Sequence, residues 1–302
     1  MHRVLEQIGA CTDEKEVTGE GITVAVLDTG FTRHPDMTGK ILGFKDFVNH
    51  RSVTYDDNGH GTHVCGIICG DGSLSRGRIR GVAPGAALVV CKVLDEHGDG
   101  STEHMLQGLR WVSENREKYR IRILNISVGI GDLKQKDKEN AMRRQLEAIW
   151  DSGIAVVCAA GNKGPASGSI SAIGGSNKVI TVGCHDGKYC LDNPGRCSVY
   201  SGRGEALSPI RKPDIVAPGT GIWSCNAFYK RNRGYMNSIY VKKSGTSMAT
   251  PVISGAAALT FSKFPSMTNE EFKQKLTITA TDLGEAWNLQ GWGMVNVQRL
   301  LQ

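Results

Sequence analysis

The stretch Gly21-Ile22-Thr23-Val24-Ala25-Val26-Leu27-Asp28-Thr29-Gly30 decides the fold class. A continuous apolar run rich in β-branched residues and closed by Thr-Gly has the pattern of a strand buried on both faces. Such strands belong to parallel sheets covered by helices. Runs of the same kind recur at residues 87–93, 121–127, 155–159 and 179–182, and helical patterns lie between them at residues 102–117 and 138–152. The alternation predicts an α/β fold with a doubly wound, mostly parallel sheet flanked by helices on both faces. The opening run ends in Asp28, and the carboxyl ends of strands are where open α/β sheets carry ligand-handling groups. An aspartate there also serves as an ordinary turn former.

Two further segments join Asp28 as carriers of chemistry. In Asp57-Asn58-Gly59-His60-Gly61-Thr62-His63-Val64-Cys65-Gly66, two histidines sit among glycines that let backbone and ligand approach the imidazoles closely. A metal site built on His60 and His63 lacks a clear third and fourth ligand. In Ser244-Gly245-Thr246-Ser247-Met248-Ala249-Thr250-Pro251, small residues precede Ser247 and an apolar helical stretch follows from Val252 to Phe261. Serine at the start of a buried helix is either a cap or a nucleophile beside free N–H groups and the positive end of the helix dipole. As a nucleophile it needs a base.

The three segments, in the order Asp, His, Ser, resemble the signatures of subtilisin-like serine proteases. They are Val26-Leu27-Asp28-Thr29-Gly30, His60-Gly61-Thr62-His63-Val64 and Gly245-Thr246-Ser247-Met248-Ala249-Thr250-Pro251. The resemblance runs from about Thr18 to the C-terminus. It implies a serine endopeptidase in which Ser247 attacks, His60 is the general base and Asp28 supports it. It also assigns Asn162, in Ala159-Ala160-Gly161-Asn162, as side-chain donor to the oxyanion, with the Ser247 N–H as second donor. Other functions of the same fold stay open: acyl transfer to an amine in peptide maturation, or peptide binding without turnover.

By the same resemblance a polypeptide substrate lies as an extended strand between Gly98-Asp99-Gly100 and Ser127-Val128-Gly129, where glycines leave room for its backbone. Ala159, Ala160 and Gly161 wall the specificity pocket, Ser171 lies near its floor, and Lys163 stands at its rim. Thr102, Met105 and Val128 line a more distant apolar subsite. A rim lysine favours neutral or acidic side chains over Lys or Arg before the scissile bond. The departure Pro251-Val252-Ile253, where the family usually has histidine after the proline, lies outside the triad.

Length and composition fit one compact domain: 302 residues with 40% hydrophobic content and neither repeat nor linker. Residues 1–17 read as a short N-terminal extension and residues 18–302 as one peptidase domain. The charged stretch 134–144 reads as a solvated helix face. A formal net charge of +6 and the basic segment Tyr229-Lys230-Arg231-Asn232-Arg233-Gly234 raise nucleic-acid binding. No stacking platform or binding motif accompanies the charge, so no nucleic-acid partner is expected. There is neither a membrane-length apolar run nor a signal-peptide core, and a monomer is expected.

Nine cysteines leave at least one unpaired. Cys65, Cys69, Cys91 and Cys158 lie in apolar contexts, which favours a reducing, cytoplasmic setting. A Cys190–Cys197 disulfide within the Cys184, Cys190, Cys197 and His185 cluster would instead point to a secreted mature form, and the spacings suit no common zinc site. Catalysis needs no cofactor. Many relatives bind structural calcium after the catalytic-histidine helix, yet residues 70–81 contain Arg76, Arg78 and Arg80 and no asparagine. A hard cation wants several oxygen ligands, so the strong site is expected to be missing, with a weaker site elsewhere left open.

Overall fold

All six residues of β1 (Thr23–Asp28) are buried, because the strand is covered on both faces and paired along both edges. The computed structural model describes residues 1–10, 17–128, 136–187, 196–205, 208–229 and 238–302. In chain order the elements are α1 (His2–Gln7), β1, β2 (Ile41–Asp46), α2 (His60–Cys69), β3 (Ala87–Lys92), α3 (Thr102–Tyr119) and β4 (Ile121–Ile126). There follow α4 (Lys136–Asp151), β5 (Ala155–Ala159), β6 (Ile180–Cys184), β7 (Ile215–Ala217), the hairpin β8 (Ile222–Cys225) and β9 (Tyr240–Lys243), then α5 (Thr246–Lys263) and α6 (Asn269–Ile278). Strands β2-β3-β1-β4-β5-β6-β7 form a parallel sheet in that order. β1 is its pivot, with β3 on one edge and β4 on the other, so Asp28 stands where the chain departs in opposite directions, the usual place for an α/β ligand site.

The strands read from apolar runs are present, with shifted ends. The run at residues 179–182 becomes β6, Ile180–Cys184, and the helix expected at residues 102–117 continues to Tyr119. β2 and β7 lack the signal. β2 lies at an edge with only its last residue buried, and β7 has only three residues, too few for periodicity.

Helix α5 is apolar almost all round and is enclosed by α2 and the sheet. Small residues permit this: a Cβ on Gly255 would approach Val82 Cβ to 2.5 Å. α1 is docked on the domain, burying Val4, Leu5 and Ile8. Arg3 Nη2 donates to Thr220 O at 2.5 Å and Gln7 Nε2 to Asp186 O at 2.6 Å.

Cys65, Cys69, Cys91, Cys158 and Cys225 are buried thiols among the described residues, and burial pushes Cys69 up to about 12 and Cys158 to about 11. The expected Cys190–Cys197 pairing is corrected. Cys197 is bonded to Cys184, the last residue of β6, with Cα atoms 5.6 Å apart; Cys197 N donates to Thr220 Oγ1, which donates to the Asp186 carboxylate just beyond that strand. Cys190 lies outside the described residues. No described helix is long and apolar enough to cross a membrane.

Between β6 and β7 the sheet encloses a charge cluster. Asp214 Oδ2 accepts from Lys212 Nζ at 2.7 Å and from Thr181 N at 2.7 Å, and Lys273 Nζ lies 3.0 Å from Oδ1. Removing the carboxylate leaves two ammonium groups facing each other with little access to water. Asp214→Ala is expected to lower unfolding stability by about 3–5 kcal/mol, read from urea or thermal melts, whereas exposed Asp151→Ala should cost under about 1 kcal/mol.

Candidate active site

Two of the three signature segments meet above the carboxyl end of β1, and the helix that carries the third packs on α2. Asp28, fully buried, closes that strand, and its Oδ1 lies 2.7 Å from His60 Nδ1. The Thr29 N–H also donates to Oδ1 at 2.7 Å, which fixes the carboxylate. His60 opens α2 after Gly59, whose φ of +87° is the left-handed turn that brings the chain into the helix. Close approach is secured by Gly61, since a Cβ there would collide with Gly30 O. With Nδ1 donating to a carboxylate, the neutral imidazole presents Nε2 as an acceptor. Burial opposes charge on His60, but the Asp28 carboxylate outweighs it and raises the pKa above the ordinary 6.5, with Lys243 pulling down and Asp56 adding to the rise.

His63, the second histidine of the motif, serves another purpose. It is buried, and its Nε2 lies 3.1 Å from both Ile222 O and Val241 O, tying the β8–β9 hairpin to α2. Burial pushes its pKa down to about 3, so it stays neutral.

Ser247, half-buried, is the second residue of α5, where the helix leaves its own N–H groups unused. Gly245 at the cap has φ +147°, and its N–H donates to Gly219 O at 3.0 Å. Asn162 reaches this turn from the end of β5. Its Oδ1 accepts from Thr246 N at 3.1 Å and from Thr246 Oγ1 at 3.0 Å. With the oxygen so engaged, Nδ2 is the free end of the amide, 3.4 Å from where a Cβ on Gly245 would lie.

The wall residues gather beside Asn162. Ser171 N donates to Ala160 O and Ser171 Oγ to Ala159 O, each at 2.8 Å, and Ser171 Cβ is 3.5 Å from a Cβ built on Gly161. Lys163 is exposed. Gly98, Asp99 and Gly100 sit in an exposed turn held by Asp95, whose Oδ1 accepts from Asp99 N and His97 N at 2.9 Å. Ser127 and Val128 follow β4 and are buried, Ser127 Oγ accepting from Asn125 Nδ2 at 2.9 Å. Met105 is buried on α3 and Thr102 half-buried at its start. Gly129 and residues 230–234 of the basic segment lie outside the described residues.

Sequence reasoning passed over Asp56, Thr29, Lys92 and Thr246. Asp56 Oδ1 accepts from Thr29 Oγ1 at 2.8 Å and Gly59 N at 2.7 Å, and Oδ2 from Thr62 N at 2.8 Å, riveting the end of β1 to the start of α2. Its signal was the acidic doublet Asp56-Asp57 ahead of the histidine motif; that of Lys92 was a lone charge in an apolar run.

The loop expected to lack a calcium site is closed by its own hydrogen bonds. The buried Asp36 carboxylate accepts from Ser73 Oγ at 3.0 Å, Leu74 N at 3.1 Å and Tyr240 Oη at 2.6 Å. With these donors on Asp36 and Arg76 and Arg78 exposed beside it, the residues present do not fit a hard cation.

Residues 19–293 match the subtilase family. The chain is 40% identical over 295 residues to serine protease AprX of Bacillus subtilis (strain 168), a match covering 93% of this chain and 66% of that protein. It is 38% identical over 283 residues to subtilisin Savinase of Lederbergia lenta, covering 93% of this chain and 91% of that one. The chain thus spans just under two thirds of the first relative and nearly all of the second. Among solved structures it resembles sphericase, with a TM-score of 0.82 at 28% identity over 98% of this chain and 97% of that one. On a match to the family over residues 19–293, with the fold of its solved members, the chain belongs to the subtilases, the peptidase S8 family of subtilisin-like serine proteases.

Proposed function

We propose that this chain is an endopeptidase that hydrolyses peptide bonds through an acyl-enzyme formed on Ser247. The observation that carries the reading is the buried Asp28 carboxylate 2.7 Å from His60 Nδ1. That contact directs the lone pair of Nε2 outward as a base. Ser247 Oγ attacks the scissile carbonyl carbon while His60 Nε2 takes its proton. The carbonyl oxygen becomes an oxyanion, met by Asn162 Nδ2 and the Ser247 N–H at the positive end of α5. Collapse breaks the C–N bond, and His60 returns the proton to the leaving amine. Water, deprotonated by His60, then releases the acid by the same steps in reverse.

The substrate lies extended between residues 98–100 and 127–129, its side chain before the scissile bond entering between Ala159, Ala160, Gly161 and Ser171. Neutral walls and the exposed Lys163 favour neutral or acidic side chains there. No cofactor enters this chemistry, and the hydrogen-bonded Asp36 loop supports the absence of a strong cation site at residues 70–81.

Ser247→Ala is the direct test: labelling by a fluorophosphonate probe and cleavage of a peptide library should both disappear while the circular dichroism spectrum is unchanged. Substantial cleavage by the purified variant would remove Ser247 from its role. Asn162→Ala should cut kcat with little change in KM, by about 3 kcal/mol, the known cost of losing such a donor in this family. A loss carried by KM instead would show that the amide binds the ground state.

The pH dependence follows from the raised His60 pKa. The base works only when neutral, so kcat/KM should fall as pH drops through a value above 6.5. Asp28→Asn removes the stabilising carboxylate, which should move that limb to lower pH and reduce kcat by about 10⁴-fold. A limb at or below 6.5 in the native enzyme would contradict the pairing.

A further inference from the structure

Lys92 is the charged residue at the end of the otherwise apolar strand β3, and its side chain has no exposure. In the parallel register it stands beside Asp28. Its ammonium group has three hydrogens and three acceptors: Thr29 O at 2.7 Å, Leu94 O at 2.7 Å and Asp57 Oδ1 at 2.6 Å. The Tyr55 ring, with its centroid 5.1 Å away, closes the remaining side.

The three acceptors come from three separate segments of the chain. Thr29 follows Asp28, and its N–H donates to the Asp28 carboxylate while its Oγ1 is bonded to Asp56 and to Gly61 N at the start of α2. Asp57 lies in the turn that leads into His60. Leu94 begins the segment whose turn, held by Asp95, presents residues 98–100 to the substrate. Burying an ammonium is expensive and is repaid only where its hydrogens are all bonded, whereas an apolar side chain among apolar neighbours carries no such cost. Stability alone therefore does not account for a lysine at this place. Its three bonds do: they fix the spacing between the aspartate, the histidine turn and the edge that aligns the peptide, and a displacement of about 1 Å in such a site costs on the order of 10²-fold in rate.

We propose that Lys92 is a positioning residue that holds the Asp28–His60 pair and the substrate-aligning edge in register, a role that rests on the protease reading above. The test is Lys92→Met, which keeps the length of the side chain and removes the charge and all three donors. The melting temperature is expected to fall, because Thr29 O, Leu94 O and the Asp57 carboxylate lose their donor, so every rate is read per folded molecule. The second-order rate of fluorophosphonate labelling, which uses the catalytic groups but not the extended edge, should fall by about tenfold or more. Hydrolysis of a long peptide should fall further, with KM raised as well as kcat lowered, because the edge at residues 98–100 loses its tie through Leu94. A merely structural lysine would lower the melting temperature and leave the folded fraction fully active. Labelling and hydrolysis within twofold of native, or a loss that only tracks the unfolded fraction, overturns the proposal. Should Lys92→Met fail to fold, Asp57→Ala decides. It removes one partner on a half-exposed side chain and should slow labelling several-fold per folded molecule, and unchanged labelling per folded molecule overturns the proposal. Native protein that takes no label at all would instead sink the protease reading, which keeps the two failures apart.

Discussion

The contact between the buried Asp28 carboxylate and His60 Nδ1 organises everything around it. A carboxylate with no exposure needs donors, and Asp28 finds two of them, the imidazole and the Thr29 N–H, on a single oxygen. To supply the imidazole, α2 must start directly over the end of β1. That requires a left-handed residue at Gly59 and no side chain at Gly61. Asp56 then closes the joint by accepting from both sides of it. One electrostatic demand thereby sets a helix start, two glycines and a second acid.

The opposite half of the site follows a different logic. Helix α5 is buried because it is apolar all round, and its N-terminus emerges with unused N–H groups where Ser247 stands. Asn162 is held to this turn through its oxygen by Thr246, which frees its nitrogen for a developing charge. A donor oriented beforehand needs no rearrangement during reaction, which is the basis of the oxyanion role proposed for it. The two halves are carried by elements distant in sequence, and α2 packs directly on α5.

Much of this was legible along the chain. The parallel sheet could be read from apolar runs because strands buried on both faces carry no polar alternation, and Ala155–Ala159 is where the pattern placed it. The edge strand β2 and the three-residue β7 escaped because neither exposure nor length leaves a period to read. The three signature segments were visible as short runs of residues whose types suit one chemistry. The partner of Cys197 was not: Cys190 is the nearer in sequence, and only the structure brings Cys184, at the end of β6, within bonding distance. Likewise the residues Gly70 to Gly81 showed by composition that they suit a cation poorly, but not that Ser73, Leu74 and Tyr240 occupy the Asp36 carboxylate.

By itself the sequence determined the fold class, the family signatures and the small residues that the site needs, because each of these is written in local runs of residue type. Residue types do not separate the two histidines; the family signature pointed to His60, and the tertiary structure supplies the physical reason. His60 and His63 sit three apart on one helix, and only the position of β1 beneath and of the β8–β9 hairpin beside it gives the first a carboxylate and the second two backbone carbonyls. The tertiary structure alone decided that Lys92 is buried in the midst of the site rather than displayed at the end of its strand. The physical reason is the same in both cases. A polar group out of water takes its state from the partners that surround it, and those partners come from segments that sequence proximity does not connect.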